Sequence, residues 1–269
     1  MGRDEKKPML SLIVPAYNEE KRILSRIQSL VRYFDTAFGG YELLVIADGC
    51  TDKTPEVVSK YANDNHKVRL LVFSKRLGKG GALMKGLKEA RGDTIVITDA
   101  DDSVPPEELL KLIREAEAQD LVIGSRYTRG SKLLASETFL RFFLGRAFNA
   151  FVKLMFWRLK GINDTQCGTK VMKRYVIDEI LRDLFITGFA VDVNLIYSAM
   201  RMGFKVKEVG ITYTHIEQES KVSKALVKLV LGMLFSLVKL RVYYSRLRPI
   251  LGTKAMEKVS SFLWHLTKA

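Results

Sequence analysis

Four short apolar runs punctuate the first hundred residues. Leu10 to Pro15 (LSLIVP), Tyr41 to Ala47 (YELLVIA), Val68 to Phe73 (VRLLVF) and Thr94 to Thr98 (TIVIT) are continuous rather than alternating in hydrophobicity, the mark of strands buried on both faces. The stretches between them carry helical periodicity, over about Glu19 to Phe34 with Asn18 as N-cap, Thr54 to Asn63, and Gly80 to Ala90, and a further helix is expected over Pro105 to Ala118. Strand and helix in alternation predict an α/β fold, a mostly parallel sheet flanked by helices. In such sheets ligands sit beyond the carboxyl ends of the strands. The polar clusters Pro15 to Glu20, Asp48 to Asp52, Lys75 to Gly81 and Asp99 to Ser103 all fall there.

The cluster Asp99-Ala100-Asp101-Asp102 would crowd three carboxylates into one loop, where like charges repel and desolvation is costly. A divalent cation relieves both penalties. Asp99 and Asp101 point the same way in extended chain and together can hold Mg2+ or Mn2+, whose open positions take diphosphate oxygens. The alternative is an acidic turn in which Asp102 or Ser103 caps the following helix. Asp48 is a second carboxylate on the same rim, able to accept from ribose hydroxyls or a base N–H, or to form an Asx turn with Gly49. The loop Arg76-Leu77-Gly78-Lys79-Gly80-Gly81 opens a helix with backbone N–H groups and a lysine that can meet phosphate, although it lacks the P-loop pattern and a tight turn is the plainer account. The histidines, His66, His215 and His265, lie outside these loops, and Asp192 is the spare carboxylate, with a helix-surface or capping role as its alternative.

Charge adds a second theme. The 269 residues carry 44 Lys and Arg against 30 Asp and Glu, a net of +14, with 47% hydrophobic residues. Arg129 to Lys160 contributes +6 and Lys221 to Lys268 contributes +9, leaving the rest at −1. Both basic segments are rich in bulky apolar residues, as an anionic membrane surface requires. Thr138 to Leu159 (TFLRFFLGRAFNAFVKLMFWRL) is interrupted by Arg141, Arg146, Lys153 and Arg158. In Lys221 to Arg246 the longest uncharged run is about ten residues, which places both in the interfacial rather than the spanning class. Packing on each other as core helices, or forming an oligomer interface, is the alternative. Nucleic acid is disfavoured as partner because the strand-end loops carry carboxylates and the cationic segments are helical. Two cysteines, Cys50 and Cys167, and no zinc-ligand spacing suit a reducing compartment. The opening MGRDEKKPML has no apolar run of signal-peptide length, and Lys6 stands where myristoylation of Gly2 wants Ser or Thr.

SLIVPAYNEE, VIADGCTDKT, RLGKGGALMKG, TDADDSVPPEEL, VIGSRY and INDTQCGTKVMKR, in that order, resemble the family 2 glycosyltransferases of GT-A fold. Within them the chain is similar to the dolichyl-phosphate β-glucosyltransferases and, next, the dolichyl-phosphate mannose synthases. The resemblance implies that Pro15, Tyr17, Glu19 and Asp48 line a nucleoside pocket. It implies further that Asp99 and Asp101 meet the sugar diphosphate and its Mg2+ or Mn2+, and that Arg126 and Arg141 bind an acceptor phosphate. Lys79 then helps stabilise the leaving diphosphate. The expected activity is inverting transfer of a hexose, glucose from UDP-glucose, to a polyprenyl (dolichyl) phosphate at the cytoplasmic face of a membrane, for protein glycosylation or cell-surface glycan synthesis. Mannose transfer from GDP-mannose and a hydroxyl acceptor are the alternatives. The expected division is a GT-A domain over 1–220, with an interfacial helix near 138–159, and a basic amphipathic membrane-associating tail over 221–269. The chain departs from the family pattern at Ser103, where mannose synthases carry a metal-binding Gln, and at Ala47, where a second Asp is usual.

Overall fold

The computed structural model describes residues 9–134, 139–214 and 222–253. The first half follows the expected alternation: β1 (Leu10–Ala16), α1 (Ile23–Ala37), β2 (Tyr41–Asp48), α2 (Thr54–Asp64), β3 (Val68–Phe73), α3 (Lys79–Glu89), β4 (Thr94–Ile97) and α4 (Pro106–Glu115). After β5 (Leu121–Ser125) come β6 (Lys132–Leu133), α5 (Phe139–Met155), β7 (Lys170–Lys173), α6 (Arg174–Ile180), α7 (Val191–Arg201), β8 (Val206–Gly210), β9 (Thr212–Tyr213) and α8 (Val222–Tyr243). Seven strands form one sheet in the order β3-β2-β1-β4-β7-β5-β8, and β6 pairs with β9 in a small second sheet.

Side chains alternate across the sheet, and each face buries a different set. Leu10, Leu12, Val14, Leu43, Val45 and Val96 face α1, α2 and α4, while Ile13, Leu44, Ile46, Ile95 and Ile97 face α3, α6 and α7. This is why the strands read as unbroken apolar runs. The amphipathic α4 buries Leu109, Leu112 and Ile113, each contributing about 1.5–3 kcal/mol of transfer free energy.

Strand order reverses at β1. The chain runs outward through β2 and β3, returns to β4 on the other side of β1, and so opens a crevice at the carboxyl ends of β1 and β4. One strand breaks the parallel pattern. β7 runs antiparallel between β4 and β5, with Lys170 opposite both Ile97 and Ile123. Its amino end, and the segment 163–169 before it, therefore lie on the rim where β4 and β5 finish.

The first helix begins at Ile23, four residues later than its periodicity suggests. Asn18 is not its cap: it takes a left-handed φ of 54°, and its side chain accepts from the Thr51 amide at 2.8 Å and donates to the Thr51 hydroxyl at 3.0 Å. The side chain thus ties the loop after β1 to the loop after β2. The basic apolar segments are helical, and their described parts do two things at once. Phe148, Val152, Leu237 and Leu240 are buried in the core and α5 packs on α8, whereas Phe142, Phe143, Leu154 and Leu231 are exposed. No helix among the described residues is long and apolar enough to cross a membrane.

Candidate active site

The loops after β1 and β2 brace one another. The Glu19 amide donates to the Thr54 hydroxyl at 2.8 Å, the Glu20 amide to Asp52 at 3.0 Å, and the Lys53 amide to the Glu20 carboxylate at 3.0 Å. Pro15 lies within β1, half-buried and opposite Ile46. The Arg76 guanidinium covers one face of the Tyr17 ring at 3.6 Å, a cation–π contact that ties the first loop to the third. Glu19 is paired with Arg22 at 2.5 Å, yet burial holds its carboxyl above the usual range, and the charge of Asp101 nearby pushes the same way.

Asp48 ends β2 and is buried. Its two oxygens accept from the amides of Leu77 at 2.5 Å and Gly78 at 2.9 Å; burial raises its pKa against those bonds. The carboxylate that sequence offers to a ribose or a base therefore also shapes the glycine loop. Two more of the loop's amides are engaged: those of Gly80 and Gly81 donate to the Thr187 carbonyl at 2.8 and 3.3 Å. A side chain at Gly80 would put its Cβ 2.1 Å from the Ile186 carbonyl oxygen, so glycine is required for this closure. With these four amides used internally, the Lys79 side chain is a group the loop can offer to an anion.

Lys79 Nζ lies 3.0 Å from Asp99 Oδ1 and 3.8 Å from Asp192 Oδ2. Asp192, in the first turn of α7, pairs in turn with the fully buried Lys170, whose ammonium also donates to the Cys167 carbonyl at 2.5 Å. Two lysines and two aspartates alternate in one chain of contacts, each charge offsetting the desolvation of its neighbour. Burial opposes ionisation of Lys79, but Asp99 and Asp192 outweigh it and keep its pKa raised. Burial likewise opposes ionisation of Asp99, and Lys79, then Lys170 and Arg26, hold its carboxyl below the usual range. Gly168 backs Asp99 so closely that a Cβ there would stand 2.2 Å from Oδ2. Asp101 accepts from the Ser103 amide at 3.2 Å, forming a turn within the loop, and α4 starts at Pro106 without a side-chain cap. Among the described residues no group of three or more His, Cys, Asp or Glu is arranged to hold a metal alone.

Arg126 follows β5 and is gripped by Asp164, with Nε to Oδ2 at 2.7 Å and Nη2 to Oδ1 at 3.0 Å. Burial opposes its charge, and Asp164 more than restores it. The guanidinium lies 5.2 Å from the Tyr127 ring and 5.5 Å from that of Tyr213, and Arg146 reaches the Tyr127 ring at 5.2 Å. Arg141 belongs to the first part of α5, and its side chain lies outside the described residues. Of the histidines, His66 precedes β3, at the far end of the sheet, and His215 and His265 lie outside the described residues.

The structure thus brings Lys79, Asp99 and Asp192 into one chain of contacts, sets Asp101 on the same loop and Arg126 at the next strand end. Sequence reasoning assigned no role to Lys170, Asp164, Gly168, Arg76, Tyr213 or Arg26. For the first three a signal was present, the polar run DTQCGTK, but its placement depends on β7 turning back into the sheet.

The fold is a mostly parallel α/β sheet with carboxylates and a lysine gathered at its switch crevice, where sheets of this kind bind ligands, and comparison with known proteins gives the family. The model of the family described as Glycosyl transferase family 2 matches residues 11–181, and the chain belongs to this family. Its relatives include the dolichyl-phosphate beta-glucosyltransferase of Dictyostelium discoideum, 34% identical over 77% of this chain and 67% of that one, and that of Mus musculus, 33% identical over 80% and 70%. The fold is also that of glucosyl-3-phosphoglycerate synthase from Mycobacterium tuberculosis, solved in complex with Mn2+, uridine diphosphate and phosphoglyceric acid. That structure matches with a TM-score of 0.66 at 19% identity, covering 87% of this chain and 78% of that one.

Proposed function

We propose that this glycosyltransferase moves glucose from UDP-glucose to a dolichyl-type polyprenyl phosphate with inversion. The observation that carries the reading is Lys79 and Asp99 joined at 3.0 Å at the strand switch, with Asp101 beside them, in a chain a third identical to dolichyl-phosphate beta-glucosyltransferases. Asp99 and Asp101 supply hard carboxylate oxygens of the kind Mg2+ or Mn2+ takes, too few for a closed site, which fits a cation shared with a diphosphate. When bound, such a cation supplies charge neutralisation at the leaving group. Pro15, Tyr17, Glu19 and Asp48 line the nucleoside side of the crevice.

The acceptor's chemistry needs no general base. A phosphate monoester has a second pKa near 6, so at neutral pH it arrives mostly deprotonated and nucleophilic. One of its oxygens attacks the sugar C1 from the face opposite the diphosphate, the C1–O bond to the diphosphate breaks, and UDP departs with the electron pair. No proton has to move. Asp192, held between Lys170 and Lys79, balances charge rather than accepting a proton. Lys79, kept cationic by its two aspartates, faces the leaving diphosphate. Arg126, anchored on Asp164, and Arg141 orient the acceptor phosphate and lessen repulsion between two anions. Residues 1–220 then carry the catalytic site and 221–269 the membrane-associating tail, which Leu237 and Leu240 anchor in the core. With the segment near 138–159, the tail keeps the enzyme peripheral at a cytoplasmic membrane face.

The test is thin-layer analysis of lipid product formed from radiolabelled UDP-glucose or GDP-mannose, with a short-chain prenyl phosphate or the matching alcohol as acceptor. Label in the lipid is expected only with UDP-glucose and the phosphate. Product from GDP-mannose would move the chain to the mannose synthases, and product on the alcohol would overturn the phosphate-acceptor mechanism.

A further inference from the structure

One arginine lies buried beneath the acidic loop. Arg26, on α1, is fully buried, and burial pulls its pKa down. One guanidinium nitrogen donates to the Thr98 hydroxyl at 2.7 Å and another to the Val104 carbonyl at 2.9 Å. The second also lies 3.5 Å from the Asp102 carboxylate, which is about half exposed (46%). Its Nε has no hydrogen-bond partner among the described residues. A buried, incompletely satisfied cation is costly, so something must hold it there. Thr98 and Val104 are the two residues that bracket Asp99 to Ser103, and Asp99, Asp101 and Asp102 all add favourable charge. A single rigid fork therefore spans both ends of the acidic loop from beneath. Lysine, a point charge on a flexible stem, would not reproduce two fixed directions.

From this geometry we infer that Arg26 is a positioning residue, which clamps the Asp99 to Ser103 loop in the shape that receives the divalent cation with the donor diphosphate. The inference rests on the donor reading above. Two effects of Arg26 oppose each other. Its positive charge repels an incoming cation, whereas its two hydrogen bonds keep Asp99 and Asp101 facing the crevice. Positioning wins, because the charge is already offset by the nearby Asp102 and the loop has few other ties. These are the Lys79 ammonium to Asp99 at 3.0 Å, the Ser103 amide to Asp101 at 3.2 Å and the Thr214 amide to the Ser103 carbonyl at 2.8 Å.

Calorimetric titration of Mn2+ into the full chain with UDP present separates these effects. Arg26→Lys and Thr98→Val, the second isosteric and breaking the clamp from the other side, are each expected to weaken Mn2+ binding about 10- to 100-fold, as loss of an outer-shell partner does. Arg174→Met is the stability control. Arg174 donates to the carbonyls of Leu87, Ala90 and Gly92 at the opposite end of the sheet, and its loss lowers the melting temperature without moving Mn2+ affinity. Wild-type affinity in both clamp variants, tighter binding, or an equal loss in Arg174→Met would each overturn the clamp. If Arg26→Lys fails to fold, Thr98→Val decides alone. Absence of any Mn2+ heat in the unaltered protein with UDP would instead remove the donor reading, and the clamp with it.

Discussion

Asp164 has no solvent exposure, and besides its paired contact with Arg126 it accepts from the Arg126 amide at 3.1 Å. Burial alone would raise its pKa; Arg126 outweighs burial and lowers it. The sign of the linkage follows. A carboxylate with a depressed folded-state pKa stabilises the fold fully above its unfolded value of roughly 4, and that contribution is lost as pH falls through the folded value. Breaking a buried pair by removing one partner costs about 3–5 kcal/mol. Asp164→Asn should therefore lower stability by about that much at pH 7. Urea unfolding should find the gap from wild type narrowing at pH 3.5, and a gap that does not depend on pH would show that the pair carries no charge. Cys167, by contrast, is buried and its thiol is pushed up to about 12, so it is neutral packing rather than a nucleophile.

At the scale of elements, the decisive one is β7. The parallel strands, their helices and the rim carrying Asp48 and Asp99 were legible in the sequence because burial on both faces leaves an unmistakable apolar run. A four-residue strand whose lysine, Lys170, faces a buried aspartate has no such pattern. DTQCGTK therefore carried a family resemblance and no position. Asn18 misled for a related reason: the same side chain that caps helices also bridges loops, and only the fold decides which. By inserting antiparallel between β4 and β5, β7 delivers Gly168 against Asp99, and a methyl group there would collide with the carboxylate, 2.2 Å from Oδ2 and 2.7 Å from Cγ. Asp99 must swing away, off Lys79, while the sheet itself stays intact. Gly168→Ala is expected to cut kcat/KM about 100-fold, the scale of a misplacement near 1 Å, with little change in melting temperature. Full activity in that variant would mean that Asp99 need not stand where the structure has it.

At the scale of the whole molecule, the apolar surface and the candidate acceptor site are continuous. Arg126 lies against the Tyr127 ring, whose edge meets Phe142 at 6.1 Å, and Phe143 beside it is 59% exposed. Leu133 and Leu134 add exposed apolar surface after β5, and Arg146 reaches the same tyrosine from α5. A phosphate at Arg126 would thus carry its prenyl chain onto aromatic side chains ringed by cations, the composition suited to an anionic headgroup layer. Burying two phenylalanines contributes at least about 3 kcal/mol, so Phe142→Ser with Phe143→Ser should reduce partition onto vesicles containing anionic lipid about 100-fold. Raising the salt should weaken wild-type binding as well, since the basic residues act through a screened field. Turnover separates attachment from catalysis. With long-chain polyprenyl phosphate in vesicles the double variant should lose most of its rate through KM, while a short water-soluble prenyl phosphate should be used as well as by the unaltered enzyme. Equal loss on both acceptors would instead make this surface part of the catalytic fold rather than its seat on the bilayer.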